Sequence, residues 1–329
     1  MQRWTILFVT FTLGTISAET FRQEIAHAHP DLGGLPTSVI SFDAGDLSPI
    51  TATDPLGRVW GGDEILAVAK DAKGRTWFAC RAGVACESGE GWRFYEGKDG
   101  LPYNGFTCAA GGPQGEVWFG TDKGLIRFEE GAFAYRQGPR WLPDDHVQSL
   151  AVDAQGSVWA ATPKGIGRIE RRAMTLLEKA DLYEQEIETS IKRTPYGYLA
   201  PVRLAKRGDR SEVMRHDNDN DGLWTSMYGA GQCFAYGALK NPLYKVRARQ
   251  AFEALRFLQR VPQTGEVRPP RGYVARTVRS TELPDPNVGR REHDERFREE
   301  RDPLWKVYEP RWPSSGDGKW YWKSDTSSD

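Results

Sequence analysis

The chain has 329 residues, of which 39% are hydrophobic and 27% are charged, which is typical of a globular chain long enough for two domains. Its 44 basic and 45 acidic residues give a formal net charge of −1, so nothing in the balance favours nucleic acid or an anionic membrane as a partner. Its 12 tryptophans indicate either blade cores or stacking platforms for sugars.

The N-terminus has the pattern of a secretory signal. After Met-Gln-Arg, an apolar stretch over residues 4–16 leads to Ser17 and Ala18, the usual order of charge, apolar core and small residues. A membrane anchor is the alternative, but the apolar run is shorter than the roughly 20 residues of a spanning helix. We therefore exclude residues 1–18 from the fold and expect a secreted or periplasmic protein without a membrane span once the signal is removed.

Residues 60–170 contain a repeat with a period of 41 residues. Its markers are Trp77, Trp118 and Trp159, each preceded three residues earlier by glycine. Within one period we predict four strands, at residues 106–110, 116–121, 124–128 and 132–136, separated by Gly- and Asp-containing turns. Four such strands form one β-propeller blade, so residues 19–172 should hold three to four blades in an open, curved stack. We expect the three tryptophans to be buried between neighbouring blades.

The repeat resembles that of two-component regulator propellers. Its best copies, at residues 101–128 and 142–169, have a Leu-Pro step, a short strand and then Asp-x-x-Gly-x-x-Trp-x-x-Thr-x-x-Gly. Gly112 replaces the turn Asp in one copy, Cys80 replaces the Thr in another, and a shortened copy ends at Trp60. The resemblance implies an extracytoplasmic module for ligand sensing or scaffolding, with a protein partner as one option, and no chemistry by itself.

Two of the four cysteines are neighbours in the first half. Cys80 and Cys86 flank a predicted hairpin turn, which leaves two alternatives. They either form a strained local disulfide or are two small strand residues that do not bond.

Helical patterns replace the strand repeats after Arg171. Residues 173–192 form a predicted linking helix, and residues 223–239 and 243–259 form a predicted αα-hairpin that turns at Asn241 and Pro242. Residues 262–313 are rich in Pro and Arg and have little periodicity, so we predict long irregular connections there. Residues 173–329 are therefore expected to form a helical region with long irregular loops.

Residues 217–222 read Asp-Asn-Asp-Asn-Asp-Gly, with carboxylates at alternate positions as in calcium loops. Tyr228 stands where an EF-hand has its bidentate Glu, so the calcium alternative is a different loop formed by Asp217, Asp219 and Asp221. In a second alternative, Asp219 and Asp221 contact a sugar or act as acid and base. In a third, the loop caps a helix that begins near Leu223 and whose N-terminus favours negative charge. Apart from the calcium of the first alternative, we expect no cofactor.

Residues 219–228 with the following αα-hairpin resemble the first hairpin of an (α/α) toroid, and residues 318–329 resemble a segment of bacterial proteins that join propellers to such domains. Toroids of this kind serve glycoside hydrolases and polysaccharide lyases. The resemblance implies site residues in the matching motifs, with Asp219, Asp221, Tyr228 and Asp325 as catalytic residues and Trp224, Trp322 and Asp329 as ligand-binding residues. The sequence predicts too few helices for a closed toroid, so we expect an incomplete domain and a chain that is inactive alone.

These patterns predict an extracytoplasmic, carbohydrate-related protein. A propeller for recognition or scaffolding would be joined to a partial glycan-processing domain, with a polysaccharide or oligosaccharide as the ligand. The alternative is a non-enzymatic propeller of the two-component regulator type that senses a ligand or binds a protein.

Overall fold

The structure, a computed structural model, describes residues 19–29, 33–38, 40, 50–61 and 64–324. The expected signal at residues 1–18 and the predicted site residues Asp325 and Asp329 lie outside this part. The chain divides into two compact units, Met1–Leu182 and Tyr183–Asp329. Its fold is mixed β and α, with several small antiparallel sheets. No helix in the described ranges is both long and apolar enough to cross a membrane.

The first unit is built from short antiparallel strands. In chain order they are β1 (Phe21–His29), β2 (Thr51–Thr53), β3 (Val59–Gly61), β4 (Ala67–Lys70), β5 (Thr76–Cys80), β6 (Gly83–Ser88), β7 (Gly91–Tyr95), β8 (Phe106–Gly111), β9 (Val117–Thr121), β10 (Gly124–Glu129), β11 (Ala132–Arg136), β12 (Ser149–Val152), β13 (Val158–Thr162) and β14 (Gly165–Met174). Three four-stranded sheets have the orders β4-β5-β6-β7, β11-β10-β9-β8 and β1-β14-β13-β12, while β2 and β3 form a two-stranded sheet among the described residues. The four strands predicted for one blade are confirmed as β8 to β11.

The 41-residue period is confirmed by the strands that carry its tryptophans. Trp77, Trp118 and Trp159 lie on β5, β9 and β13, the second strand of each sheet in blade order. The turn into the third strand requires glycine. At Gly124 φ is 126°, and a Cβ there would lie 2.5 Å from the carbonyl oxygen of Arg136.

The tryptophans fill the cores between successive sheets. Trp77 is fully buried, and its ring centroid lies 4.7 Å from that of Phe128 in the next sheet. Trp118 is also fully buried, in a cluster with Val152 of the sheet that follows. Trp159 is only partly buried, because no further sheet covers the last one within the described residues. The expectation of burial is therefore confirmed for two tryptophans and wrong for Trp159.

A carboxylate stabilises the turn before the second strand of these sheets by accepting backbone N–H groups. In one repeat this carboxylate comes from a different sequence position. The carboxylates of Asp71 and Asp153 accept backbone N–H groups of their own turns and the indole N–H of the tryptophan six residues later. In the repeat with Gly112, the carboxylate of Glu116 accepts the backbone N–H of Gln114 at 2.9 Å. A Cβ at Gly112 would lie 2.2 Å from the carboxyl carbon of Glu116, so the glycine makes room for this replacement.

The first and last copies of the repeat depart from the regular blade. The shortened copy that ends at Trp60 is the two-stranded β2–β3 sheet, and Trp60 packs beside Phe94 in the following sheet. The last sheet is completed by β1, which pairs with β14 from Phe21 opposite Met174 to His29 opposite Ile166. Over its described residues, the unit thus has three four-stranded sheets and one two-stranded sheet, which agrees with the predicted three to four blades.

Cys80 and Cys86 lie on opposite faces of one sheet. Cys80 packs with Trp60 on one face, whereas Cys86 is opposite Trp77 in the strand register and packs with it on the other. Because the sheet separates the two thiols, the local disulfide is not formed, and the alternative of two small strand residues describes the structure. Burial raises the pKa of Cys86 to about 11.

The linking helix is shorter than predicted. Helix α1 (Leu176–Glu186) continues into a π-helical turn, Ile187–Ile191. It begins after Thr175, whose hydroxyl accepts the backbone N–H of Glu178 while that glutamate accepts the N–H of Thr175. The predicted start at residue 173 is wrong because β14 continues to Met174 along β1. The division between the two units falls within α1, after the boundary expected at residue 172.

The second unit combines a helical hairpin with three two-stranded sheets. Its elements are β15 (Lys192–Arg193), β16 (Tyr198–Leu199), β17 (Val202–Lys206), β18 (Asp209–Arg215), α2 (Asp221–Leu239), α3 (Pro242–Arg260), β19 (Val278–Ser280), α4 (Arg290–Glu300) and β20 (Trp320–Trp322). Strand β15 pairs with β16, β17 with β18 and β19 with β20. The predicted αα-hairpin is confirmed as α2 and α3, with Asn241 accepting the N–H of Leu243 at the start of α3.

The core of the second unit lies against α3 and includes Tyr198, Leu258, Val278 and Trp322. The prediction of irregular connections over residues 262–313 is wrong in part, because α4 and β19 lie there. Helix α4 is highly charged, yet its Asp294 is fully buried and paired with Arg311. The described helices do not form a closed toroid, so that part of the expected fold is not seen.

Candidate functional site

One side of helix α2 carries a stripe of polar residues that faces the interior of the second unit. Asp221, Thr225, Tyr228 and Gln232 follow each other at three- and four-residue spacing, which places them on one side of a helix. Three of them are buried, and Tyr228 is half-buried. The stripe contains two of the residues predicted as catalytic, Asp221 and Tyr228, so its contacts decide what these two residues can do.

Asp221 lies at the buried end of this stripe. Its carboxylate forms an ion pair with Arg193 and accepts the hydroxyl of Thr277. The guanidinium of Arg193 also donates to the carbonyl oxygen of Val278 at 2.9 Å, which connects α2, β15 and β19. Burial lowers the pKa of Arg193 to about 10, and the charge of Asp217 opposes the shift, so the group stays protonated at neutral pH.

The catalytic expectation for Asp221 is corrected by its burial. The side chain is 0% exposed, so neither a substrate nor a sugar can reach its carboxylate. Its contacts instead hold the start of α2, which begins two residues before the predicted Leu223. The helix N-terminus adds to the stabilisation of the negative charge. Asp221 thus anchors the start of α2 through tertiary contacts, whereas Asn220, the residue at the cap position, makes no side-chain capping hydrogen bond.

Asp219 and Asp217 are more exposed than Asp221. Asp219 forms an ion pair with Lys323 on the segment after β20. Across the part of the chain that the structure describes, no three His, Cys, Asp or Glu side chains gather closely enough to hold a metal ion. The repulsion among the loop carboxylates is thus relieved by Arg193 and Lys323.

We predict that a calcium chelator leaves the melting temperature of the protein unchanged, and that added calcium does not raise it. A metal bound to the folded state would stabilise it by preferential binding, whereas protein cations cannot be removed by a chelator. Differential scanning calorimetry with and without chelator tests this. A chelator-dependent fall that calcium reverses would show that the loop of Asp217, Asp219 and Asp221 binds the ion.

Tyr228 belongs to a second polar cluster near the other end of the stripe. Its hydroxyl donates to Glu184 at 2.6 Å, and Gln232 donates to the other carboxylate oxygen of Glu184 at 2.7 Å. Burial, followed by the hydrogen bond to Glu184, raises the pKa of Tyr228 well above its usual range. A phenol held protonated in this way is a poor general base, so the structure does not support the catalytic expectation for Tyr228.

The two predicted ligand-binding tryptophans lie in different surroundings. Trp322 is 2% exposed in the core of the second unit, so its ring is not available for stacking. Trp224 is 41% exposed and lines a small apolar cavity of about 240 Å³ with Leu199 and Pro201. Only Trp224 keeps a surface that a ligand could touch.

A larger groove of about 1010 Å³ opens at the ends of β15, β18, β19 and β20. We call it the basic groove because four cationic side chains and a histidine line it, against two carboxylates. Its lining comprises Arg193, Thr194, Pro195, Arg215, His216, Asp217, Arg279, Ser280, Thr281, Glu282, Leu283, Lys319 and Trp320. The four strands come from four separate segments of the chain, so the groove exists only in the folded unit.

The cationic side chains of the basic groove differ in whether they are already bonded to other groups of the protein. Arg193 is bound to Asp221, and Arg215 donates to the backbone carbonyl of Ser190 at 2.7 Å. The Nε of Arg279 is buried without a hydrogen-bond partner among the described residues, and Lys319 is exposed. Neither Arg279 nor Lys319 forms an ion pair among the described residues, so both side chains can meet an anion in the groove beside the half-buried ring of Trp320.

Sequence reasoning did not find this groove. It singled out Trp322 in the closing segment, whereas the ring that lines the groove is Trp320, two residues earlier. Among the predicted site residues that the structure describes, Asp217 alone lines the groove. The clustering of Arg215, Arg279 and Lys319 has no local signature, because these residues are far apart in the chain.

Solved structures give distant likenesses to this chain. Streptogramin B lyase is 16% identical over 38% of this chain and 45% of its own, with a TM-score of 0.29. The extracellular domain of a candidate hybrid two-component system from B. thetaiotaomicron is 17% identical over 50% of this chain and 25% of its own, at a TM-score of 0.29. PorZ, a surface component of the type-IX secretion system of Porphyromonas gingivalis, is 18% identical over 36% of this chain and 19% of its own, with a TM-score of 0.30.

This chain thus spans less than half the length of each of these structures. No protein-family model and no curated protein matches it. Likenesses at these TM-scores leave the function to be argued from the residues of the chain itself.

Proposed function

We propose that this chain is an extracytoplasmic protein that binds an anionic carbohydrate, such as a uronate-bearing polysaccharide, in the basic groove. The observation that carries the proposal is the combination of Arg279, Lys319 and the ring of Trp320 in one groove of about 1010 Å³. The propeller unit serves as scaffold or recognition module, as its repeat pattern implies.

The chemistry of the groove suits a charged sugar. A guanidinium offers two parallel N–H donors to a carboxylate, and the ammonium of Lys319 adds a point charge. An indole ring presents an apolar face to the C–H side of a sugar ring. Trp320 is kept in place by Tyr196 and Phe257, whose ring centroids lie 5.5 and 5.9 Å from its own. Pairing of a cation with an aromatic platform favours anionic over neutral saccharides.

Calorimetric titration of the whole chain with oligogalacturonate, dextran sulfate and uncharged dextran tests this function. We expect oligogalacturonate to bind, binding to weaken as salt is raised, and uncharged dextran not to bind. Arg279→Ala should weaken binding about tenfold or more, because a hydrogen bond to a charged group contributes about 1.5–3 kcal/mol. Preference for dextran sulfate would assign the groove to sulfated rather than uronate sugars.

Arg249→Ala is the matched control, because Arg249 is an exposed arginine on α3 outside the groove. It removes the same charge and should leave the affinity unchanged. Equal losses from the two variants would mean that net charge, and not the groove, drives binding. Absence of binding to both anionic probes would overturn the proposal.

Glycan processing is the second candidate, and His216 favours it. This imidazole lines the groove beside Arg215, where a base and cations could act together in β-elimination from a uronate. Unsaturated products, followed by their ultraviolet absorbance, would support a lyase. If such products appear from the wild type and not from His216→Ala, the groove is an active site. If none appears while oligogalacturonate binds, the chain is a binding protein.

A further inference from the structure

The turn after β15 holds Thr194 in a backbone conformation that threonine rarely adopts. Its φ is 62°, in the left-handed region, where a β-branched side chain crowds the main chain. The next residue is Pro195, and a residue that precedes proline is restricted towards extended conformations. Two separate preferences therefore oppose this conformation, so the backbone is strained at Thr194.

Contacts on both sides of Thr194 keep it in this conformation. Arg193, the residue before it, forms the ion pair with the buried Asp221. The ring of Tyr196, two residues after it, stacks on that of Phe257 with the ring centroids 4.1 Å apart. Because these two neighbours are bound to α2 and α3, the turn cannot relax unless one of the contacts breaks.

The turn does not need a threonine at this position. The hydrogen bond that closes it, from the N–H of Gly197 to the carbonyl oxygen of Thr194 at 3.1 Å, uses main-chain groups alone. The threonine hydroxyl accepts the N–H of Tyr196 at 3.2 Å, but an asparagine side chain can make the same contact and tolerates the left-handed region. Strain at a residue that the fold could replace is a sign of function, because strained residues concentrate at ligand-binding sites.

Thr194 also lines the basic groove, together with Arg279 and Lys319. Its hydroxyl oxygen accepts the N–H of Tyr196, whereas its hydroxyl proton has no acceptor among the described residues. A threonine hydroxyl carries one donor, so this donor remains available to a molecule in the groove.

We infer that Thr194 is a ligand-binding residue that donates its hydroxyl proton to the anionic group held by Arg279 and Lys319, a role that rests on the proposed function of the groove. A hydrogen bond from a hydroxyl to a charged oxygen is shorter and stronger than one between neutral groups. Held by the strained turn, this donor has a fixed direction, whereas the ammonium of Lys319 is a point charge on a flexible stem.

Calorimetric titration of the whole chain with oligogalacturonate tests the hydroxyl. Thr194→Val keeps the shape of the side chain and removes the donor, so it should bind about tenfold more weakly. Thr194→Ser keeps the donor and should bind within about threefold of the wild type. Thr281→Val is the matched control, because Thr281 lines the same groove but its hydroxyl already donates to the carbonyl oxygen of Gly318 at 2.8 Å. This control should leave the affinity unchanged.

Thermal melts without ligand test the strain. Thr194→Asn should melt about 2–4 °C above the wild type, because asparagine relieves the strain and still accepts the N–H of Tyr196. A threonine that served only the fold would give a lower melting temperature in this variant. The melt of Thr194→Val shows whether that variant is folded. Thr194→Gly, which removes the hydroxyl from an unstrained residue, should lose the same affinity and replaces it if it is not.

The outcomes separate the role of Thr194 from the proposed function. If the wild type binds neither oligogalacturonate nor dextran sulfate, the proposed function fails and the role of Thr194 fails with it. If the wild type binds and the variants without the hydroxyl bind equally well, or if Thr281→Val loses as much affinity, the groove holds the anion without Thr194. A Thr194→Asn variant that melts below the wild type would show that the fold itself requires the threonine, and would also overturn the inference.

Discussion

Replacing Trp118 with alanine should lower the free energy of unfolding by about 3–5 kcal/mol, the usual range for removing a large aromatic side chain from a core. The indole is fully buried between two successive sheets, so its loss leaves a cavity that neither sheet can close. Urea unfolding of the whole chain, followed by circular dichroism, measures the effect.

Trp159→Ala is the control that separates burial from position in the repeat. Trp159 occupies the same place on β13 that Trp118 has on β9, but it is only partly buried. Trp159→Ala should therefore lower the free energy of unfolding distinctly less than Trp118→Ala does. Equal losses at the two positions would contradict the assignment of the cores to the spaces between sheets.

Asp221→Asn should destabilise the protein by about 3–5 kcal/mol, because it removes one partner of a buried ion pair. The side chain of Arg193 is 10% exposed, so its charge would remain in a nearly dry position without the carboxylate that balances it. The helical part of the circular dichroism signal should be lost at lower urea concentration.

Asp219→Asn provides the comparison, since it makes the same chemical change two residues earlier in the chain. The side chain of Asp219 is 33% exposed and pairs with Lys323 near the surface, where such pairs contribute about 1 kcal/mol or less. A loss at Asp219 as large as that at Asp221 would contradict the structural role assigned to Asp221.

The repeat was predictable from the sequence because each blade is specified locally. Glycine at a turn and tryptophan three residues later recur at a fixed interval, and each pattern needs only its own 41 residues to be understood. The replacement at Gly112 marks the limit of what this local pattern can predict. There the carboxylate moves to Glu116, and the spatial equivalence of the two positions is visible only in the folded turn.

What the sequence could not predict depends on contacts between distant segments. Strand β1 has no repeat pattern, and its assignment follows from pairing with β14, as in the contact of His27 with Glu170 across 143 residues. The burial of Asp221 likewise requires Arg193 and Thr277 to meet it. Three carboxylates at alternate positions left a calcium loop, a catalytic or sugar site and a helix cap open, because the cation that balances one of them lies in another element.

The basic groove illustrates the same limit for the candidate site. Arg215, Arg279 and Lys319 come together because β18, β19 and β20 meet at one place, and one of these strands, β19, falls in a region without helical or strand periodicity. Prediction of residues from the toroid resemblance selected Trp322, which packs in the core. Which of the two tryptophans on β20 is buried and which lines the groove depends on the pairing of β20 with β19, and the sequence does not show that pairing.

The pairing of β1 with β14 has a mechanical consequence. Phe21 stands opposite Met174, so these two residues lie side by side at one end of the ladder, about 5 Å apart in an antiparallel pair. Tension applied at these two residues would load the hydrogen bonds one after another from that end, and would not shear them all together. The first unit should therefore open like a zipper at low force. Neighbouring ends also make such a unit easy to place within a loop of another protein.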